Sequence, residues 1–248
     1  GNSSFGSALA TGDLNADGRV DFASNAINYA SATGRAYIFY NDGSLPTSDS
    51  AADTSITGAA TNDIFGIGFS TGDFNADGKT DIAVGAYNYS SSTGRAYVFY
   101  NDGSMPTIAS SADVTITGEA TSNQFGYRLF SADLNADGRT DLIVHAYGYS
   151  SSLGRSYVFY NNGTYPSLAS SYNKVYTGQS AGSQMGFGFT SADFNSDGKV
   201  DVAIGAPGYG SNAGRVYTII TEIDVTANDT EVMNIKGGMN IKGGMTVK

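Results

Sequence analysis

One acidic nonapeptide is written four times in this 248-residue chain: DLNADGRVD at 13–21, DFNADGKTD at 73–81, DLNADGRTD at 133–141 and DFNSDGKVD at 193–201. The step is sixty residues each time. A fixed period dictates architecture before local propensity does, because each unit must bury its apolar face against its neighbours. Phe5-Gly6, Phe65-Gly66, Phe125-Gly126 and Met185-Gly186 keep the same step, as do Gly34-Arg35, Gly94-Arg95, Gly154-Arg155 and Gly214-Arg215. Four units fill residues 1 to about 240.

In the second unit, FGIGFSTGDF precedes the acidic loop and DIAVGAYNY follows it; GRAYVFY comes after a Ser-rich turn, and ADVTITG closes the unit. Each run is β-branched or aromatic and is bounded by Gly, Asn, Asp or Pro, the pattern of four strands joined by three turns. Asn-Asp-Gly at 41–43 and 101–103, and Asn-Asn-Gly at 161–163, suit tight connections that need positive φ. The 33 Gly, 17 Tyr and 13 Phe tilt the composition the same way. The expected fold is all-β: a β-propeller of four 60-residue, four-stranded antiparallel blades, since sheets packed face to face around an axis cover each other. Blade boundaries fall at about 1–60, 61–120, 121–180 and 181–238, with 239–248 left as a C-terminal tail. Gly66, Gly68 and Gly72 place the first strand of a blade at the crowded inner position.

The acidic loop has the donor set of a calcium site. Positions 1, 3, 5 and 9 are Asp13, Asn15, Asp17 and Asp21; Asp73, Asn75, Asp77 and Asp81; Asp133, Asn135, Asp137 and Asp141; and Asp193, Asn195, Asp197 and Asp201. Position 6 is Gly, and Arg19, Lys79, Arg139 and Lys199 at position 7 would each offer a main-chain carbonyl. Alternating oxygen side chains, a Gly for the sharp turn and a position-7 carbonyl are what wrapping six or seven oxygens around Ca²⁺ requires. A surface turn would use the same residue types, but it needs no third carboxylate. An EF-hand or dockerin-like module begins alike, yet requires an acid at position 12, where Ser24, Val84, Val144 and Ile204 stand. Each loop holds three Asp and one Lys or Arg, so the loops account for -8 of the net charge of -10. Four Ca²⁺ per chain are expected.

The combination of Phe-Gly, DFNADGKTD, VGAY and IGAP at 204–207 resembles the FG-GAP repeat of integrin α-subunit propellers and of related microbial surface proteins and lectins. That resemblance implies a calcium loop joining the first and second strands of each blade. This chain departs from it at Met185, at the SNAI of the first unit, and at Tyr87 and Tyr147 in place of Pro. It has four repeats where integrin propellers have seven blades, and no integrin partner surface carries over.

The negative field repels phosphate backbones and anionic membranes, which argues against nucleic acid as a partner. No stretch approaches a membrane span, and the sequence opens at Gly1 on patterned repeat, as a processed chain or a fragment would. Cysteine is absent, which removes disulfides and thiolate chemistry. Sequons begin at Asn2, Asn88, Asn162 and Asn228 and permit a glycoprotein. The single histidine, His145, has no counterpart in the sister units, so it reads as a substituted strand position; no catalytic constellation is found. Arg35, Arg95, Arg155 and Arg215 read as structural links before anion contacts. Tyr29, Tyr89, Tyr149 and Tyr209 read either as rim packing or as sugar platforms.

The tandem MNIKGG at 233–238 and 239–244 supplies the last strand of the fourth blade and one surplus copy. From Met239 onward the tail reads either as disordered or as a strand lent to a neighbour. Together these features describe a non-enzymatic calcium-binding module, extracellular or at the cell surface. Its role would be adhesion or self-assembly into a homo-oligomer, polymer or filament, with a protein or glycan ligand. A calcium-stabilised lectin is the alternative.

Overall fold

A computed structural model of the chain describes residues 4–44 and 48–220. It is all-β, with three four-stranded sheets and one of three strands, each antiparallel in simple sequence order. The first sheet holds β1 (Phe5–Gly12), β2 (Asp21–Ala26), β3 (Arg35–Phe39) and β4 (Thr54–Thr57). The second holds β5 (Phe65–Gly72), β6 (Asp81–Ala86), β7 (Arg95–Phe99) and β8 (Val114–Thr117). The third holds β9 (Phe125–Ala132), β10 (Asp141–Ala146), β11 (Arg155–Phe159) and β12 (Lys174–Thr177). The fourth shows β13 (Gly188–Ala192), β14 (Asp201–Ala206) and β15 (Arg215–Ile219). These are the expected propeller blades. The fourth strand of the last blade, the tail at 239–248, and the sequons at Asn2 and Asn228 lie outside the described residues.

Register explains the alternation of the strands. In the second blade, Ile82 pairs with Phe99 and Val84 with Tyr97, so one face carries the large side chains. That face packs on the next or preceding blade: Leu14, Ile38 and Ile56 of the first blade share a core with Phe65, Val84, Tyr97 and Phe99 of the second. Phe74, Val98 and Ile116 of the second do the same with Phe125, Val144 and Phe159 of the third. A third core joins Ile143 and Val158 to Met185, Ile204 and Tyr217. First strands converge where glycine permits it. A Cβ on Gly68 would stand 3.1 Å from the Tyr127 carbonyl oxygen, which matches the crowding expected of an inner strand.

Two connections differ from expectation. The β3–β4 link is not a tight hairpin: it runs from Tyr40 to Asp53 in the first blade and includes a single 3₁₀ turn, Asp49–Ala51. Only the glycine of each Asn-Asp-Gly or Asn-Asn-Gly takes positive φ, as at Gly43, Gly103 and Gly163. The Ser-rich β2–β3 turn is left-handed, with positive φ at Ala30–Ala32, Ser90–Ser92 and Ser150–Ser152. Each such residue costs about 1–2 kcal/mol. The turn aims its carbonyls at the next blade: Ser31 and Ala32 accept from the N–H groups of Asn62 and Ile64, and Ser91 and Ser92 from those of Ser122 and Gln124. Those inter-blade hydrogen bonds stabilise the strained conformation, which Ser211 and Asn212 of the fourth turn also adopt.

Candidate metal centres and the blade seams

Each acidic loop does join the first strand of its blade to the second. Its geometry repeats almost atom for atom. In the second blade Asp73 accepts from Asp77 N–H at 3.0 Å and from Gly78 N–H at 2.8 Å; Asn75 Oδ1 accepts from Asp77 N–H at 3.0 Å, and Asp77 Oδ1 from Lys79 N–H at 2.9 Å. The loops at Asp13, Asp133 and Asp193 make the same set. Gly78 has φ +84°, the turn that brings positions 1, 3 and 5 onto one side of the loop.

The ninth-position Asp stands apart from the other three. Asp21, Asp81, Asp141 and Asp201 are buried, whereas the rest of the loop is largely exposed. Asp81 accepts from Phe74 N–H through Oδ2 and from Asn101 N–H through Oδ1, both at 2.8 Å, so one carboxylate ties the end of β5 to the end of β7. Asp141 does likewise with Leu134 and Asn161, and Asp21 with Leu14 and Asn41. This keystone role is not visible in the motif. Its partners, Asn41, Asn101 and Asn161, donate through the main chain, so their side chains carry no signal of it.

Among the described residues, no three Asp, Glu, His or Cys side chains converge closely enough to cage an ion. The reason is local: the carboxylates at positions 1 and 5 rest on the loop's own N–H groups, and the ninth is held beneath them. The donor chemistry nevertheless fits a hard cation. Every candidate donor is oxygen, and each carboxylate oxygen bonded to one N–H keeps a further acceptor direction. Burial pushes the Asp81 carboxyl up to about 6; the N–H bonds of Asn101 and Phe74 oppose this, and the charges of Asp77 and Asp73 add to it. Asp141 behaves alike. A cation in the loop would counter both burial and repulsion.

The other repeated polar residues belong to the seams. Arg35, Arg95, Arg155 and Arg215 lie flat over Tyr29, Tyr89, Tyr149 and Tyr209 at 3.6–3.7 Å. Arg35, Arg95 and Arg155 also donate from Nε to Thr57, Thr117 and Thr177. Arg155 reaches Glu119 at 3.4 Å and Arg215 reaches Gln179, each partner lying between its own blade and the one before. These arginines are structural links, and one face of each of the four tyrosines is taken. Of the described sequons, Asn88 is engaged by Asn62 and Ser92, while Asn162 is exposed.

His145 is fully buried between the third and fourth blades, 3.4 Å from Ser156 Oγ and edge-on to Phe189. Burial pushes its pKa down to about 3, the nearby Arg128 charge adds to this, and a hydrogen bond with Arg155 opposes it. It is therefore a neutral packing residue, with Nε2 lacking a partner among the described residues. Because the folded value lies below the ordinary 6.5, the folded state binds fewer protons between pH 6.5 and 3, and stability is lost as pH falls through that window. His145→Asn, the residue type at Asn25, should remove this loss. The unfolding free-energy gap between variant and parent should grow by about 1.4 kcal/mol per pH unit below 6. Parallel curves in urea titrations from pH 6.5 to 4 would contradict this.

A cluster at the opposite end of the blades from the acidic loops was not foreseen as a unit. Tyr127 stacks on Tyr147 at 4.8 Å, Tyr87 meets it edge-on at 5.4 Å, and Arg128 lies 4.9 Å from the Tyr127 ring. Tyr87 and Tyr147 had registered only as replacements for Pro.

Three of the four units, at residues 65–99, 125–159 and 185–219, match the FG-GAP repeat family. Three of the chain's units are FG-GAP repeats. It is 33% identical over 179 residues to phosphatidylinositol-glycan-specific phospholipase D of Bos taurus, an alignment covering 66% of this chain and 21% of that protein. It is 31% identical over 168 residues to integrin alpha-PS2 of Drosophila melanogaster, covering 63% of this chain and 12% of that protein. For integrin alpha-PS5 of the same fly the figures are 33% over 161 residues, 61% and 15%. The chain thus spans about a fifth or less of the length of these relatives. No helix among the described residues is long and apolar enough to cross a membrane.

Proposed function

We propose that this FG-GAP propeller is a non-enzymatic recognition module of the extracellular space or cell surface, rigidified by four Ca²⁺. The observation that carries the reading is the fourfold identity of the acidic loop, both in sequence and in its internal hydrogen bonds. In each blade, positions 1, 3, 5, 7 and 9 would hold the ion: Asp73, Asn75, Asp77, the Lys79 carbonyl and Asp81 in the second. Calcium would supply charge neutralisation there, and the chain's own work is to keep the loop folded beneath the ion. The phospholipase activity in the name of one relative resides in a protein about four-fifths of which lies beyond this alignment, and the Ser156–His145 pair, the one Ser–His contact among the described residues, is fully buried.

Two substitutions test the loop. Asp77→Ala should remove one of four calcium ions in calorimetric titration and leave stability in chelator nearly unchanged, because Asp77 is exposed. Asp81→Ala should remove the same ion and also cost about 2–3 kcal/mol in chelator, since the buried N–H groups of Phe74 and Asn101 lose their acceptor. Two or fewer sites in the parent would sink the reading. The aromatic cluster Tyr87, Tyr127 and Tyr147 with Arg128 favours a glycan among possible ligands, because pyranose faces stack on tyrosine rings. A glycan array separates that lectin reading from a protein ligand.

A further inference from the structure

The four units serve as controls for one another. Phe65, Phe125 and Met185 are each 0% exposed because the preceding blade covers them, yet Phe5 at the same register position is 38% exposed and Leu9 is 67% exposed. On the other flank, Leu14, Phe74 and Leu134 are buried by the following blade, whereas Phe194 is 43% exposed; Ala36, Ala96 and Ser156 are buried, whereas Val216 is 58% exposed. The leading face of the first blade and the trailing face of the fourth are therefore blade faces without a blade, among the described residues.

The backbone of each end is also prepared for one. In the three seams that form, the N–H of Phe65, Phe125 or Met185 donates to the carbonyl of Thr33, Thr93 or Leu153. A Cβ on Gly34, Gly94 or Gly154 would overlap the carbonyl of that same Phe or Met. At the trailing end, Gly214 keeps its φ of +77°, yet a Cβ there meets nothing closer than 3.7 Å. Among the described residues no N–H reaches the carbonyls of Ser211, Asn212 and Ala213. Gly205 stands where Gly85 meets the carbonyl of Gly126, but a Cβ on it would meet only Gly188 of its own blade, at 3.7 Å, and one on Gly6 would meet nothing within 4 Å.

We propose that these two faces are each other's partner in separate copies of the chain: the first blade of one copy docks on the fourth blade of the next. Phe5 N–H would then donate to Ala213, Phe5 would seat under Gly214, and Gly6 would approach Gly205, repeating the seam already made three times within the chain. Residues 221–248 carry neither a Phe-Gly nor a Met-Gly pair, the mark of the leading strand in all four units. The contact is heterologous, so copies close into a ring or extend as a fibre. It does not depend on the calcium reading, whose site count is measured separately.

Complementary variants of the full chain test this. Leu9→Asp blocks only the leading face and Val216→Asp only the trailing face. Both side chains are exposed, so the melting temperature of each monomer should be unchanged. By analytical ultracentrifugation the parent should run as two or more chains and each variant alone as one. An equimolar mixture of the variants should run as two, joined through their intact faces. A parent that stays a single chain at high concentration, a variant that assembles as the parent does, or a mixture that remains monomeric would each overturn the proposal.

Discussion

Excess chelator should lower the melting temperature of the chain by roughly 20 °C or more. A ligand that binds only the folded state at 100 times its Kd contributes about 2.7 kcal/mol per site, and four sites are proposed. Each kcal/mol is worth about 2–4 °C in a domain of this length. Removal also leaves three carboxylates per loop without a counter-charge, two of the four blades holding a buried Asp whose carboxyl is already raised to about 6. Magnesium should restore little, because it demands a smaller octahedral site and gives up water reluctantly. Scanning calorimetry with and without chelator reads the effect directly, and superimposable curves would remove calcium from the account of stability.

Gly94→Ala should be the most damaging single methyl in the protein. With φ at +82° it carries the left-handed penalty of about 1 kcal/mol. The added Cβ also overlaps the Phe125 carbonyl, and both sides of the clash are backbone. Relief requires the second and third blades to move apart, for a total of roughly 3–5 kcal/mol. Gly214→Ala has the same backbone strain and no clash within the chain, so it should cost only about 1 kcal/mol. Urea denaturation of the pair separates the seam from the torsion angle, and equal losses would show that the seam contributes nothing.

The period of sixty made most of the fold legible before any coordinates. Strand limits in the second blade, such as Phe65–Gly72 and Asp81–Ala86, fall where Phe-Gly and the acidic loop put them. What the pattern could not show was long-range. The left-handed turn at Ser90–Ser92 is stabilised by N–H groups of Ser122 and Gln124, some thirty residues on, and serine has no intrinsic preference for that conformation. The loop's alternation of oxygen donors was legible in the motif. The dual role of Asp81 did not appear, because Asn101 meets it through a main-chain N–H and any residue type could have stood there. The Tyr87, Tyr127 and Tyr147 cluster draws on two blades, and no local window contains it.

The strained Ser-rich turns have a consequence for how the molecule comes apart. Because each of the first three turns is held by the blade that follows, a blade and its successor are strained together, and neither can relax alone. Opening therefore propagates inward from the extremities in nearest-neighbour fashion, as a zipper does, with the second and third blades as its most protected links. Whatever grips the outermost blades sets the resistance of the whole array to heat, proteases and pulling.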